Sequence, residues 1–324
     1  MTMDSYEKNI LGFRDQLEGK GLTSYDLHKL RGFSPDGIVL MGMGGSGMTG
    51  ILFEKTAPLF RVKVPIVVVE NAMLPPFLFK RPLFVSISFS GVTPETVAAT
   101  KAANRIRKGK MAVVTTGGPL LRLAETQKLP RVVFDGGDLT PRGAHGYMYY
   151  AILEVIKKVL PIRVPTVSRS FSPSRMRLPG KKLARKLLHA PALVYTSSAD
   201  SHIGLMWKRN LNETGKIPAF VNEYPELYHE EIAGFEKTKK GWNAIWFTNP
   251  RLRSDEEKKM RNAQSILKNH GVTSFIVPLQ GNNILEELWN SDVLSHWTCY
   301  YIANAQHLDP KAIPIISTLK SLKK

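Results

Sequence analysis

Gly37-Ile-Val-Leu-Met41-Gly42-Met43-Gly44-Gly45-Ser46-Gly47 is the stretch from which the fold can be read. Its first half has no polar side chain and reads as a strand buried on both faces, the kind found in parallel sheets. It runs without a break into a glycine-rich turn bearing one hydroxyl. The same unit recurs downstream. An apolar run at 64–69 ends in Glu70, one at 83–87 ends in Ser88-Phe-Ser-Gly91, and one at 111–114 ends in Thr115-Thr-Gly-Gly118. A further short run lies at 131–134, and helical stretches are expected at 94–108 and from about 143 to 160. Strands alternating with helices indicate βαβ units, hence an α/β fold with a parallel sheet. Residues 1–30 read as one or two amphipathic helices placed before it.

Residues 161–180 hold Pro161, Pro165, Pro173 and Pro179 among serines and charges, which marks a linker. The alternation then resumes. Helices are expected at 181–188, 201–212, 254–269, 283–306 and 314–323, and strands at 193–196, 219–222, 244–247 and 274–277. The chain therefore reads as two domains, 1–162 and 163–324, built as two copies of one architecture. The second copy has Thr196-Ser-Ser-Ala199 in place of the glycine-rich turn and Thr248-Asn-Pro250 in place of Ser88-Phe-Ser-Gly91, so phosphate-type loops survive in the first copy alone.

The 324 residues carry 45 Lys+Arg against 27 Asp+Glu, a formal net charge of +18. Such a field favours anionic partners, from small phosphates to nucleic acid. The basic clusters lack interleaved aromatics and zinc-finger or helix-turn-helix spacing, so a solvated basic surface is preferred and a nucleic-acid partner is not expected. No apolar run is long enough to span a bilayer, and no apolar signal segment opens the chain, so neither a membrane nor export is expected. Cys299 is the single cysteine. A reducing cytoplasm is the expected location.

Gly42-x-Gly44-x-x-Gly47 followed by Glu70 matches the dinucleotide fingerprint in form, which keeps a nicotinamide-dependent reading open. Two features favour a compact phosphate monoester instead. Ser46 adds a hydroxyl at a helix N-terminus. A neighbouring strand end supplies Ser88, Ser90 and Thr93. The competing structural reading of these hydroxyls is as ordinary helix N-caps. Arg142 lies at a loop-to-helix boundary where it could meet a developing oxyanion, although from spacing alone a surface arginine is the preferred reading. Glu213, Glu223, Glu226, His229 and Glu230 supply candidate proton-transfer groups within a short span. The histidines show no metal-ligand spacing, so neither metal nor cofactor is expected.

Gly42-Met-Gly-Gly-Ser-Gly47, Ser86-Ile-Ser-Phe-Ser-Gly-Val-Thr-Pro-Glu-Thr96, Thr115-Thr-Gly-Gly118, Pro141-Arg142, Asn212-Glu213, Pro225-Glu-x-x-His229 and Leu319-Lys320 occur in this order. Together they resemble the archaeal and bacterial bifunctional phosphoglucose/phosphomannose isomerases of the SIS (sugar isomerase) superfamily. The resemblance implies two SIS-type three-layer αβα sandwich domains with parallel sheets, assembled as a homodimer. It implies an aldose–ketose isomerase of glycolysis and gluconeogenesis that interconverts glucose 6-phosphate and fructose 6-phosphate through a cis-enediolate. Gly45, Ser46, Ser88, Ser90 and Thr93 would hold the sugar phosphate. Glu213 would be the base, Arg142 would stabilise the enediolate, and His229 and Lys320 would assist ring opening. His229 would act in the neighbouring subunit's active site. A non-catalytic SIS sensor of sugar phosphates is the competing class. Two departures stand out: Glu230 replaces the family's usual Asn after the histidine, and Ile313-Pro314 replaces a Thr-Pro pair. The family threonine is associated with room for the C2 epimer, so Ile313 makes mannose 6-phosphate the open substrate.

Overall fold

The computed structural model describes residues 4–75, 79–106, 108–164, 167–237 and 241–322. The chain forms two compact units. The N-terminal unit is Gly12–Val167, and the C-terminal unit is Ser168–Lys324 together with Met1–Leu11. The division at 162/163 expected from the prolines thus differs by a few residues. The first helix, Ser5–Leu11, groups with the C-terminal unit. There Tyr6 stacks on Tyr300 at 5.9 Å and Glu7 pairs with Arg177 at 2.6 Å.

The strands in chain order are β1 (Thr23–Tyr25), β2 (Gly37–Met41), β3 (Ile66–Val69), β4 (Pro82–Ser88), β5 (Lys110–Thr115) and β6 (Arg131–Val133) in the N-terminal unit. The C-terminal unit holds β7 (Ala192–Ser197), β8 (Ala219–Tyr224), β9 (Trp242–Thr248) and β10 (Val272–Pro278). The first sheet has six strands in the order β1-β6-β5-β4-β2-β3 and the second has four in the order β10-β9-β7-β8. Every pairing is parallel except that of β1 with β6. This antiparallel edge strand corrects the all-helical reading of residues 1–30. Thr23-Ser-Tyr25 is too short and too polar to carry a period, and its pairing with β6 depends on a segment more than a hundred residues away.

β2 and β4 are buried at every position, as the apolar runs require of strands covered on both faces. On one face Val39, Phe84 and Val113 pack with Ala99, Ala103, Leu120 and Ala124 from the helices Pro94–Ala103 and Gly118–Thr126. The second of these helices was not read from the sequence. In the C-terminal unit Tyr195 and Trp246 pack with Met260, Ala263 and Leu267 of the helix Ser254–Asn269, and on the opposite side Trp207 meets Phe247 at 5.1 Å. Alternate side chains of each sheet therefore serve two helical layers.

Three expected helices are shorter in the structure, the one read from about 143 to 160 being His145–Ile156. The one read as 94–108 ends at Ala103, and the terminal one is Pro314–Ser321, its expected end at Lys323 lying outside the described residues. Pro173 and Pro179 do not interrupt the chain as linker residues. Pro173 opens the turn Pro173–Met176, and Pro179 lies in the first turn of the helix Arg177–Leu187, where a missing N–H removes no helical hydrogen bond.

Candidate active site

In the N-terminal unit three parallel strands deliver their C-terminal loops to one edge of the sheet. β2 leads into the helix Gly44–Thr56, β4 into the loop Ser88–Thr93 and the helix Pro94–Ala103, and β5 into Thr115–Gly118. Neither Met43 nor Thr93, the residues before the two helices, gives a side-chain cap. The N-cap reading of the hydroxyls is therefore not what the structure adopts. Two helix starts face the same edge, each preceded by a residue whose side chain gives no cap.

The hydroxyls instead tie the loops together. Ser46 is buried, and its Oγ accepts from the Phe89 N–H at 3.0 Å, which joins the β2 turn to the β4 loop. Ser88 Oγ accepts from the Gly91 N–H at 3.1 Å and lies 3.4 Å from Thr93 Oγ1. Exposed Ser90 accepts from Val92 N–H at 3.4 Å. The Ser46 and Ser88 hydroxyls also donate within the protein, Ser46 to Met148 Sδ at 3.5 Å and Ser88 to Thr93 Oγ1, so each proton is held by a long bond of the chain's own. Thr116 Oγ1 donates to the Phe89 carbonyl at 2.6 Å, so the third loop braces the second.

Glycine permits this closeness. A methyl at Gly45 would lie 2.8 Å from the Pro141 carbonyl carbon and 2.9 Å from the Arg142 nitrogen, and one at Gly91 (φ +66°) would lie 1.9 Å from the Gly117 oxygen. The contact at Gly45 brings the turn Pro141–Ala144 against the loop, with Arg142 buried in it. The structure thus brings Gly45, Ser46, Ser88, Ser90, Thr93 and Arg142 to one sheet edge. Glu70, the ribose partner of the nicotinamide reading, packs against the start of the helix at Gly47 instead: a β-carbon there would lie 2.3 Å from its Oε1.

In the C-terminal unit the proton-transfer candidates stand on three elements. Half-buried Glu213 ends the helix Ser201–Glu213. The helix end is held firmly. Asn212 Oδ1 accepts from the Ala219 N–H at 2.8 Å, fastening it to β8. Lys216, in the left-handed region at φ +58°, donates from Nζ to the carbonyls of both Glu213 and Ala312. Sequence reasoning missed Lys216. Its value lies in joining the end of one helix to the segment before Pro314–Ser321, and no local pattern encodes that. Exposed His229 lies just after the turn Glu226–Tyr228 that follows β8. Its loop is pinned from below: Asn222 Nδ2 donates to Glu230 at 3.1 Å and to Glu231 at 2.6 Å, and Tyr195 donates to Glu231. Burial first, then the Glu231 carboxylate, pushes the Tyr195 phenol far above its usual pKa, so it remains a donor. Glu230, the departure noted above, is thus engaged by an amide. Exposed Lys320 lies on the terminal helix, and half-buried Ile313 precedes that helix with its carbonyl accepting from the Ser317 N–H at 3.0 Å.

Comparison with known proteins adds an independent line. Residues 177–322 match the family described as bacterial phospho-glucose isomerase C-terminal SIS domain. A bifunctional phosphoglucose/phosphomannose isomerase of Aquifex aeolicus is 27% identical over 333 aligned residues that cover 99% of each chain. Its counterpart in Caldicellulosiruptor bescii is 28% identical over 88% of this chain and 89% of its own. Among solved structures, a hypothetical protein of Thermus thermophilus superposes with a TM-score of 0.70 at 16% identity, covering 97% of this chain and 89% of that one, which bears on the fold.

Proposed function

We propose, from the premise that this chain is related to the bifunctional phosphoglucose/phosphomannose isomerases along 99% of its residues, that it is an aldose–ketose isomerase interconverting glucose 6-phosphate and fructose 6-phosphate. Mannose 6-phosphate is the second candidate substrate. The observation that carries the substrate class is the convergence of two helix starts without side-chain caps and the hydroxyls of Ser46, Ser88, Ser90 and Thr93 at one sheet edge. A dianionic phosphate satisfies those donors, and the field of a +18 chain favours its arrival.

Holding the phosphate orients the rest of the sugar for chemistry several atoms away. Glu213 removes the proton from C2 of the open-chain aldose and returns it to C1, and does the reverse for the ketose. The intermediate is a cis-enediolate. The buried Arg142 guanidinium stabilises its negative charge, always protonated and fixed before the charge develops. His229 and Lys320 assist opening of the cyclic sugar by moving a proton between the ring oxygen and the C1 hydroxyl. In this reading His229 serves the neighbouring subunit of a homodimer, which fits an exposed histidine on a rigidly pinned loop. The reaction belongs to cytoplasmic carbohydrate metabolism, at the junction of glycolysis and gluconeogenesis.

The test is turnover by purified, chelator-treated protein. Glucose 6-phosphate formed from fructose 6-phosphate is followed with a coupled dehydrogenase, and fructose 6-phosphate formed from mannose 6-phosphate is followed in parallel. Turnover in the first assay is expected, and the second decides whether Ile313 narrows specificity. A protein that binds these sugars without converting either would be a sensor.

A further inference from the structure

The two sheets share a four-strand arrangement, β3-β2-β4-β5 in one unit and β8-β7-β9-β10 in the other. In the N-terminal unit β6 continues the sheet beyond β5, pairing in parallel through Val113–Arg131, Val114–Val132 and Thr115–Val133. In the C-terminal unit β10 pairs with β9, and the chain then turns into the helix Ile284–Ala305. Burial records the difference. Every residue of β5 after Lys110 is buried, whereas Ser274, Phe275, Ile276 and Val277 of β10 are half-exposed.

A cavity of about 240 Å³ opens beside β10. Consecutive residues Phe275, Ile276 and Val277 all line it. One face of a strand would contribute alternate residues, so the cavity follows the strand's edge, which pairs with no further strand among the described residues. Lys182 and Lys186, one turn apart and exposed on the helix Arg177–Leu187, line the same cavity. The Lys186 ammonium sits 4.9 Å from the Phe275 ring centre. Between Glu154 and Asp200 the chain contains no Asp or Glu, so no nearby residue in sequence offsets these lysines.

We propose that the free edge of β10 is a docking site for an extended acidic peptide segment of a partner protein, which adds to the sheet as a parallel strand beside Phe275–Val277 with Lys182 and Lys186 facing its carboxylates. The sister unit shows what occupies this position in the same architecture: a short parallel strand whose Val132 is fully buried. Main-chain hydrogen bonds would supply affinity, and one apolar side chain in the cavity with acidic neighbours would supply selectivity. A second copy of the chain is the poorer occupant. Pairing the two β10 edges about a twofold axis would bring Lys182 and Lys186 of both copies together, a like-charge repulsion in a chain of net charge +18.

The experiment uses the whole chain and a fluorescein-labelled hexapeptide, Glu-Val-Val-Phe-Asp-Glu, followed by fluorescence anisotropy. Saturable binding is expected, with amide hydrogen exchange slowed at 272–277 in the complex. Affinity should fall about tenfold or more for the same peptide with N-methylated valines, which lacks the strand donors, and for the double variant Lys182→Glu/Lys186→Glu. Both lysines are exposed, and an unchanged circular dichroism spectrum shows that the variant folds. Equal binding of the methylated peptide, indifference to the lysine reversal, or no binding at about 1 mM peptide would overturn the proposal. So would protection at 272–277 in the peptide-free protein that appears with rising protein concentration, because the occupant would then be a second copy. Displacement of the peptide by oligothymidine with no exchange protection at 272–277 would reduce the site to charge attraction and overturn it as well.

Discussion

The ends of β2 and β7 occupy the same place in the two copies of this architecture, and they are finished in opposite ways. After β2, Gly42-Met-Gly-Gly-Ser46 leads into a helix whose preceding residue gives no side-chain cap, and the Ser46 hydroxyl accepts from the neighbouring loop. After β7, the position is taken by a carboxylate of the chain itself. Asp200 is buried, accepts from Ser197 Oγ at 2.7 Å and from Asn249, and lies 3.8 Å from the Arg251 guanidinium. Arg251 in turn makes a two-pronged pair with the buried Glu287 at 2.8 and 2.7 Å, which holds its pKa above the ordinary arginine value. Asn249 and Arg251 follow β9, the counterpart of β4, so the segment that carries Ser88 and Ser90 in one copy closes the crevice in the other. In the proposed reading the first sheet end takes its anion from the substrate, whereas the second is satisfied internally. The same fold position can therefore be used for binding or for stability, according to whether its anion is a guest or a side chain.

That contrast predicts which property each substitution will move. Glu213→Gln should have the largest effect, lowering kcat by about a thousandfold while leaving sugar-phosphate affinity near its original value. Steady-state kinetics beside a direct binding measurement will tell, and preserved turnover would remove Glu213 as the base. Arg251→Ala strands the buried Glu287 carboxylate, so it should cost about 3 kcal/mol of stability, read from the urea midpoint of the C-terminal transition. A loss below about 1 kcal/mol would mean that the internal pairing is incidental. Gly45→Ala, on the open side, should do the reverse. Its methyl displaces the Pro141–Arg142 backbone, which should lower kcat/KM by up to about a hundredfold. A change in stability alone would count against Arg142. Ser88→Ala is the mildest test: about 1 kcal/mol of stability from the lost Gly91 bond, and about a tenfold rise in KM. If Ser88→Ala moved stability strongly and KM not at all, the two sheet ends would not differ in the way described.

Residues 37–47 and their repeats carried the α/β class, the two copies and the hydroxyl loops, because burial on both faces forces a strand to be apolar throughout and a close backbone approach forces glycine. Those demands act on neighbours in the chain, so they leave a local trace. The helix 254–269 is legible to the residue for the same reason: its acidic first turn and its period are local. Other features depend on partners distant in sequence and have no such trace. The antiparallel strand β1 exists because β6 offers an edge, and the Lys216 clamp exists because Ala312 is folded back beside it. The closing of the second sheet end needs Asp200, Asn249, Arg251 and Glu287 at once, four residues whose types are unremarkable alone. Grouping of the first helix with the C-terminal unit is likewise a matter of which apolar surface Tyr6 can reach. Local sterics and burial period are written in adjacent residues, whereas long-range pairing is selected by the packed state, which alone can satisfy a buried charge or a strand edge.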